Sequence, residues 1–359
     1  MAMAHPGDVS ELKKLVESGD LDPAKIVATI GKTEGNGGAN DFTRALATTS
    51  FSNYLGKVLD RNPSDVTEQI AFVWSGGCEG ILSPHVTVFT RDDTAGAIVA
   101  DGGRLALSVQ RTRDLLPEEV GRMAEVNEVA AAVHRALEDL GCNPQEVHYV
   151  QVKGPLLTPS SLADARRRGV EVVTTDPNRS KAYARGATAL GVAVGLSEVP
   201  SSAITDDVIA TDMSLYSKVA STSAGGELVN CEVLVFANSP QSCSDFRIGH
   251  ASLKDPIDID GVRNALRDAG LNFTCDPSTA DQERIAAVFA KAEAPVDGLL
   301  RGQRTTMLSD ADINYERHGR AAVGAVIASL TGDSRIFVSG GTEHQTPPGH
   351  APIAAIVRT

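Results

Sequence analysis

Three lysines of this chain each stand at the end of an apolar, strand-like segment, and each is followed by an arginine and then by a serine. A serine hydroxyl becomes a useful nucleophile when a neighbouring base removes its proton, and a lysine of lowered pKa can be that base. Small residues follow every one of these serines, which leaves backbone N–H groups accessible to a carbonyl oxygen. The pattern therefore predicts acyl chemistry. Its members are Lys32, Arg44 and Ser75, then Lys153, Arg185 and Ser223, then Lys291, Arg317 and Ser339.

The repeated order predicts that these side chains share one centre, to which each repeat contributes an ammonium, a guanidinium and a hydroxyl. We expect such a centre to be strongly cationic and to suit a flat ring that carries several carbonyl groups. A Ser-His-Asp triad explains the pattern less well, because the chain has no G-x-S-x-G elbow and its 8 histidines bear no relation to the serines. The residues alone leave three Lys–Ser pairs and do not decide which pair is catalytic.

Strand-like and helix-like segments alternate around each of the three patterns, which is typical of layered α/β proteins. Apolar runs precede the lysines, and helical segments rich in small residues carry the arginines. We therefore predict three similar α/β units that span residues 1–96, 104–241 and 247–359. Their boundaries fall in the turn-rich segments Asp92–Gly103 and Ser239–Phe246.

The first unit differs from the other two at its start. The second and third units open on strand-like runs, RLALSVQRTRD and DFRIGHASLKD, whereas the first has only MAMAHPGD in that place. We therefore expect the first sheet to lack an edge strand.

Composition narrows the classes of protein. With 359 residues, of which 42% are hydrophobic, the chain can form two or three domains. Its 33 Lys and Arg against 46 Asp and Glu give a net charge of −13, which argues against nucleic acid as a partner. It has no apolar run of about 18 residues and no signal-like N-terminus, so we expect a cytoplasmic protein with no membrane partner. The 5 cysteines are widely spaced and predict neither a disulfide framework nor a zinc site.

Several long motifs resemble those of the ring-opening amidohydrolases, the family of cyanuric acid hydrolase and barbiturase. They extend over nearly the whole chain and include GKTEGNG, SGGCEGILSPH, VKGPLLTP, YARGATALG, AKAEAPVDG, MLSDADIN and VSGGTEHQTPPG. The resemblance implies an α/β fold of three similar repeat units around a pseudo-threefold axis, with the active site at the centre. It also implies a homotetramer and the hydrolysis of cyanuric acid to 1-carboxybiuret, a step of s-triazine degradation.

The resemblance also implies roles for individual residues. Ser223 matches the family's nucleophile and Lys153 its activating base, so the resemblance selects one pair where the repeat could not. The other residues of the pattern match substrate-binding positions, with Lys32 and Lys291 adding positive potential. The substrate-binding set is Arg44, Arg185 and Arg317, together with Ser75-Gly76, Ser223-Ala224 and Ser339-Gly340, which would hold ring carbonyls.

A structural divalent cation in the third unit is a further implication of the resemblance, and no cofactor is expected for catalysis itself. The matching positions would offer the Glu293 carboxylate and mainly backbone carbonyls, and oxygen ligands of this kind suit Mg²⁺ or Ca²⁺. The remaining members of the set are Thr342, Gln345, Thr346, Pro347 and His350.

Two alternatives remain open at this point. The first is barbiturase activity, which converts barbituric acid to ureidomalonate and could use the same Lys, Arg and Ser residues. We expect the choice of ring to depend on Ile313 and Asn314, just ahead of Arg317. The second alternative is a protein that binds a small cyclic imide without reacting with it.

Overall fold

A computed structural model of the chain describes residues 1–94 and 103–359, which form mixed β-sheets and helices. The predicted boundary at Asp92–Gly103 therefore lies mostly outside the described residues. The strands are β1 Ile26–Thr33, β2 Ala71–Gly76, β3 His85–Thr90, β4 Arg104–Arg111, β5 Val147–Pro155, β6 Ala220–Gly225, β7 Glu232–Ser239, β8 Phe246–Leu253, β9 Ile285–Ala292, β10 Leu299–Leu300, β11 Gln303–Arg304, β12 Phe337–Gly340 and β13 Ala351–Arg358.

The helices are α1 Ser10–Ser18, α2 Phe42–Leu59, α3 Pro63–Gln69, α4 Met123–Leu140, α5 Pro159–Arg168, α6 Pro177–Gly195, α7 Ile259–Asp268, α8 Thr279–Glu283 and α9 Tyr315–Thr331. Three of them, α2, α6 and α9, each begin after a polar residue whose side chain accepts a hydrogen bond from the first helical turn. These cap residues are Asp41, Asp176 and Asn314. The caps fix where the helices start, and the same three helices carry the arginines of the candidate site. No helix in the described parts of the chain is long and apolar enough to cross a membrane.

Three sheets share one pattern of strand pairing. In the first sheet β1 pairs in parallel with β2 and antiparallel with β3, in the second β5 pairs with β6 and β7, and in the third β9 pairs with β12 and β13. The second and third sheets have a further edge strand, β4 on β7 and β8 on β13. Among the described residues the first sheet has three strands, and Ala2 makes a single bridge to His85 on its outer edge. The expected lack of an edge strand in the first sheet is confirmed.

A single apolar cluster joins the three sheets. Phe89 of the first sheet lies against Phe236 of the second, with ring centroids 5.2 Å apart, and Tyr149 of the second stacks on Phe289 of the third at 5.3 Å. The opposite faces of the sheets are covered by helices, which form separate apolar clusters with them. Burial on both faces explains why β7, which is buried along its whole length, is apolar without interruption from Val233 to Ala237. The shared cluster holds the three sheets in contact below the strand ends that carry the lysines.

Candidate functional site

Each of the three lysines lies opposite its serine on two neighbouring parallel strands. The register pairs Lys32 with Ser75, Lys153 with Ser223 and Lys291 with Ser339. Paired residues of parallel strands project from the same face about 4.8 Å apart, so each ammonium and hydroxyl point the same way. The structure thus brings together the members of each predicted Lys–Ser pair at the carboxyl end of a sheet.

The lysines also reach across to neighbouring sheets. Lys153 Nζ donates to the carbonyl of Trp74 at 3.1 Å, and Lys291 Nζ donates to the carbonyl of Thr222 at 2.6 Å. Lys32 Nζ lies 5.9 Å from the ring centroid of Phe337. These contacts run from the second sheet to the first, from the third to the second and from the first to the third. The three strand ends therefore meet at one centre.

Burial lowers the pKa of all three lysines. For Lys32 the pKa falls to about 7, because burial and the charge of Arg320 outweigh the opposing carboxylates. Burial also lowers the pKa of Lys153, with Arg44 acting in the same direction and Glu227 against it. The pKa of Lys291 falls well below its usual value for the same main reason. Each lysine is thereby suited to be a neutral base.

Three arginine–glutamate ion pairs surround the lysines, and each joins two sheets. Arg185 on α6 makes a bidentate pair with Glu343 at 2.7 Å, and Arg320 on α9 makes one with Glu79 at 2.6 and 2.8 Å. Arg44 on α2 donates through Nε to Glu227 at 3.0 Å. The arginine side chains are at most 9% exposed. Arg44, on the helix of the first sheet, pairs with a glutamate of the second sheet. Arg185, on the helix of the second sheet, pairs with a glutamate of the third, and Arg320, on the helix of the third, pairs with a glutamate of the first.

The third arginine of this ring is Arg320 and not Arg317, so the sequence interpretation is corrected here. Arg320 is 4% exposed and pairs with Glu79, whereas Arg317 is 44% exposed and lies 3.6 Å from the same carboxylate. Both residues are on the same side of α9 and border the same cavity, but Arg317 lies in the first turn of the helix and Arg320 almost one turn further along, where it is buried. The sequence pattern fixed the helix and its order in the chain but not which arginine faces inward.

The three glutamates of the ring were missed by sequence reasoning, although a signal was present. Each stands four residues after a serine of the pattern, in SGGCE, SAGGE and SGGTE. Their carboxylates offset much of the positive charge that the lysines and arginines bring. The sequence expectation of a strongly cationic centre left these carboxylates out, and Glu79, Glu227 and Glu343 lower its positive charge.

Among the described residues, the three-sheet symmetry is broken at the second Lys–Ser pair. Glu227 accepts a hydrogen bond from Arg44 and also lies 3.2 Å from Lys153 Nζ. Glu79 and Glu343, in contrast, each bind their arginine through both carboxylate oxygens. Ser223 Oγ is buried and has no hydrogen-bond partner in the described parts of the chain. Ser75 Oγ, in contrast, accepts a hydrogen bond from Lys32 Nζ at 3.0 Å. An unpaired buried hydroxyl is costly unless water or a ligand completes its bonding, so Ser223 Oγ is free to make a further hydrogen bond among the described residues.

The small residues after the serines hold the backbone close to these groups. Gly76 and Gly340 accept hydrogen bonds from Lys32 and Lys291 through their carbonyls, at 3.3 and 2.9 Å. A Cβ at Gly76 would lie 1.6 Å from Asp41 Oδ2, so no other residue fits there without rearrangement. Ala224 occupies the corresponding position after Ser223.

A cavity of about 740 Å³ borders the ring of ion pairs. Arg185, Arg320 and Glu343 line it from inside, and Asn314 lies at the start of α9 on its wall. The Asn314 side chain caps α9 by accepting a hydrogen bond from Glu316 N at 2.9 Å, which fixes its orientation. Ile313, the other predicted specificity residue, is 44% exposed.

The predicted metal ligands lie in the third sheet's loops. The Glu293 carboxylate is partly buried, and burial together with Glu343 raises its pKa to about 7. The side chains of Gln345 and His350 are engaged elsewhere, with Thr222 N at 2.8 Å and Ser252 Oγ at 3.1 Å. The loop's carbonyls, which include those of Thr342 and Pro347, each accept one hydrogen bond and keep a second lone pair. A carboxylate and backbone carbonyls are oxygen ligands of the kind that a hard divalent cation prefers.

The different burial of Arg320 and Arg317 predicts different effects of their substitution on the free energy of unfolding. Replacing Arg320 by alanine leaves Glu79 without its bidentate partner in a buried place, and breaking such a pair costs about 3 kcal/mol or more of unfolding free energy. Arg317→Ala is the matched control, and we expect it to cost less than about 0.5 kcal/mol because the side chain is half exposed. Urea unfolding of both variants measures the difference. Equal losses in the two variants would contradict the assignment.

Comparison with known proteins agrees with this geometry. The model of the family described as amidohydrolase ring-opening protein matches residues 1–358. A cyclic amide hydrolase from Azorhizobium caulinodans is 64% identical and is matched over 100% of this chain and 98% of its own. Barbiturase 1 from a Nocardioides species is 43% identical, over 98% of this chain and 95% of its own. A solved structure of a cyanuric acid hydrolase, 48% identical, superposes with a TM-score of 0.95 over 100% of this chain and 98% of its own.

Proposed function

The chain belongs to the ring-opening amidohydrolase family and is a hydrolase, and from that premise we propose that it opens the ring of cyanuric acid to give 1-carboxybiuret. The observation that carries the proposal is the second Lys–Ser pair. There a buried serine hydroxyl, to which no described residue makes a hydrogen bond, lies opposite a buried lysine of lowered pKa. This combination supplies a nucleophile and a base in one place.

The proposed frame is three α/β units, residues 1–96, 104–241 and 247–359, around a pseudo-threefold axis. The shared strand pairing of the three sheets and the closed ring of arginine–glutamate pairs support it. Cyanuric acid is a flat ring with three carbonyl groups, so each of the three units can bind one carbonyl oxygen. The arginines, with Arg320 in the third unit, and the backbone after each serine are the groups proposed to hold the ring.

In the proposed reaction, neutral Lys153 accepts the proton of Ser223 as Oγ bonds to a ring carbonyl carbon. Backbone N–H groups near Ser223 and Ala224 stabilise the oxyanion that forms. The C–N bond then breaks, and the proton on Lys153 passes to the leaving ring nitrogen. Water, deprotonated by Lys153, hydrolyses the acyl-serine and releases the opened product with both enzyme groups restored.

The other two Lys–Ser pairs are proposed to bind rather than to react. Ser75 already accepts a hydrogen bond from Lys32, and the Lys291 ammonium is held by two carbonyls. Their serines can contact the ring's remaining carbonyls. The role of substrate-binding groups therefore falls to Lys32, Ser75, Lys291 and Ser339.

Barbituric acid is the second candidate substrate. It is supported by the 43% sequence identity between this chain and a barbiturase. The rings differ in one position, where barbituric acid has a methylene in place of an N–H. Asn314 borders the cavity and is placed to distinguish the two, with the more exposed Ile313 next to it.

The test is a side-by-side assay of the purified full-length protein on both rings, followed by the loss of ultraviolet absorbance. We expect turnover of cyanuric acid with a higher kcat/KM than for barbituric acid. The reverse order would make the protein a barbiturase. Binding of either ring without product would replace the enzyme by a cyclic-imide binding protein.

A structural Mg²⁺ or Ca²⁺ in the third unit is also part of the proposal. Glu293 would be its carboxylate ligand, with backbone carbonyls of Thr342, Gln345, Thr346 and Pro347 completing the shell. His350 would contribute its carbonyl, because its ring contacts Ser252. The ion would stabilise the loop by neutralising Glu293, and no catalytic cofactor is required.

We expect Glu293→Gln to lose the bound ion and to show a Tm that no longer falls when EDTA is added, because the amide cannot replace a carboxylate ligand. Glu283→Gln, at an exposed site on α8, is the matched control. Elemental analysis and thermal unfolding measure both effects. An EDTA-sensitive Tm in the Glu293 variant would argue against this ligand.

The oligomeric state and the cellular location of the protein are predictions from its sequence. The family resemblance predicts a homotetramer, which sedimentation equilibrium of the purified protein would test. A cytoplasmic location is expected from the sequence alone.

A further inference from the structure

Two histidines and an aspartate converge at the far end of β5 from the candidate active site. His148 Nδ1 lies 3.0 Å from His250 Nδ1 and 3.1 Å from Asp268 Oδ2, and His250 Nδ1 lies 3.6 Å from the same oxygen. His148 is on β5 of the second sheet, whereas His250 on β8 and Asp268 at the end of α7 belong to the third. Five residues of β5 separate His148 from Lys153, which is about 16 Å.

The backbone is built so that these three groups meet. His250 N donates to Asp268 Oδ2 at 2.8 Å, which holds the carboxylate over the strand. The preceding residue is Gly249, where a Cβ would lie 2.0 Å from Ala269 N. Only a glycine lets the end of α7 approach β8 this closely. The position of Asp268 is thus set by main-chain packing and not by a flexible surface side chain.

The three atoms face one another and need a positive centre between them. If both imidazoles carry their proton on Nε2, two nitrogen lone pairs and a carboxylate oxygen face each other within 3.6 Å, which is repulsive. A proton on His148 Nδ1, shared between His250 Nδ1 and Asp268 Oδ2, relieves this repulsion. A cation at the centre relieves it equally, because each atom then points a lone pair at positive charge.

The separations match the spacing of ligands on a small divalent metal. Nitrogen and oxygen ligands about 2.0–2.1 Å from a tetrahedral Zn²⁺ lie about 3.3–3.4 Å from one another, close to the three observed distances. The side chains are 18% exposed for His148, 32% for His250 and 43% for Asp268, which leaves room for water to complete the shell.

We propose that His148, His250 and Asp268 form a binding site for a divalent transition metal of the Zn²⁺ class, which links the second and third sheets. Two imidazoles and one carboxylate are a donor set that such metals prefer over Mg²⁺ or Ca²⁺. The site lies away from the Lys–Ser pairs and from Glu293, so its role is structural. It depends on neither the proposed reaction nor the proposed oxygen-ligand site.

The experiment uses the full-length protein, stripped with EDTA and then kept in excess Mg²⁺ and Ca²⁺ so that any oxygen-ligand site is filled. Zn²⁺ is titrated by calorimetry, and Co²⁺ is used as a probe of geometry by its visible absorption. The variants are His250→Gln and Asp268→Asn. The matched control is His134→Gln, which changes an exposed histidine on α4.

We expect one Zn²⁺ per chain in the wild type and in the control, with a rise in Tm on Zn²⁺ addition. Both cluster variants should lose this binding and the Co²⁺ absorption of a low-coordinate site. Circular dichroism and a cooperative thermal transition without Zn²⁺ report whether the variants are folded. Unchanged Zn²⁺ binding in both cluster variants would overturn the proposal. A wild-type protein that binds no Zn²⁺ would also overturn it and would make the cluster a proton-bridged contact.

Discussion

Replacing Ser223 by alanine is expected to reduce ring opening by at least about 10³-fold, because removal of a covalent nucleophile leaves only the binding contributions to catalysis. Ser223 Oγ is the group that we propose forms the acyl intermediate, and it is buried without a partner in the described residues. The measurement is kcat with cyanuric acid, together with mass spectrometry of the protein quenched during turnover. The wild type should show an added acyl mass that the variant lacks.

The matched controls are Ser75→Ala and Ser339→Ala, which remove the corresponding hydroxyls of the first and third sheets. We expect these variants to raise KM and to lower kcat by much less, since their serines are proposed to bind ring carbonyls. Ser75 is the serious rival, because it already accepts a hydrogen bond from Lys32, whose pKa is about 7. A larger loss of kcat in Ser75→Ala than in Ser223→Ala would transfer the nucleophile to the first sheet.

Lys153→Met is the second large effect that we expect, again a loss of at least about 10³-fold in kcat/KM, since the serine then has no base. Methionine nearly preserves the volume of the buried side chain. Lys153→Arg is the informative companion, because arginine keeps the charge but stays protonated and so cannot accept the proton. We expect it to be about as inactive as the methionine variant. An active arginine variant would reduce Lys153 to an electrostatic role.

The pH dependence gives an independent test of the same lysine. The base must be neutral, so kcat/KM should rise with pH through the pKa of Lys153, which burial holds below its usual value. Glu227 raises that pKa, so Glu227→Gln should move the acidic limb of the profile to lower pH. Glu343→Gln changes the corresponding glutamate near Lys291 and should leave the limb in place. A limb that does not move in Glu227→Gln would mean that another group is titrating.

Much of the site could be predicted from the sequence because its pattern is local to each repeat. A lysine at the end of one strand and a serine at the end of the next are placed side by side by parallel pairing, as Lys153 and Ser223 are. The three larger sheets, and the smaller number of strands that the described residues give the first of them, also follow from the apolar runs. These features depend on strand period and strand order, which single segments of sequence carry.

Which side chains face the centre was decided only by the tertiary structure. Arg317 and Arg320 are on the same helix, and only the packing of α9 on the third sheet and against the segment after β2 buries Arg320 against Glu79. The ring of ion pairs joins residues 158 to 241 positions apart, such as Arg185 and Glu343. Contacts of this range have no local signature, so the glutamates four residues after each serine stood in the sequence without an evident partner.

The three Lys, Arg and Ser patterns thus predicted an acyl-transfer site from residue type and order alone. The tertiary structure determined its charge balance, because glutamates from neighbouring sheets offset the buried cations. It also distinguished Ser223 from Ser75 and Ser339, since Glu227 turns towards Lys153 and leaves the second pair unlike the other two. Sequence repeats make three sites look equivalent, and only the packing of the units against one another makes them differ.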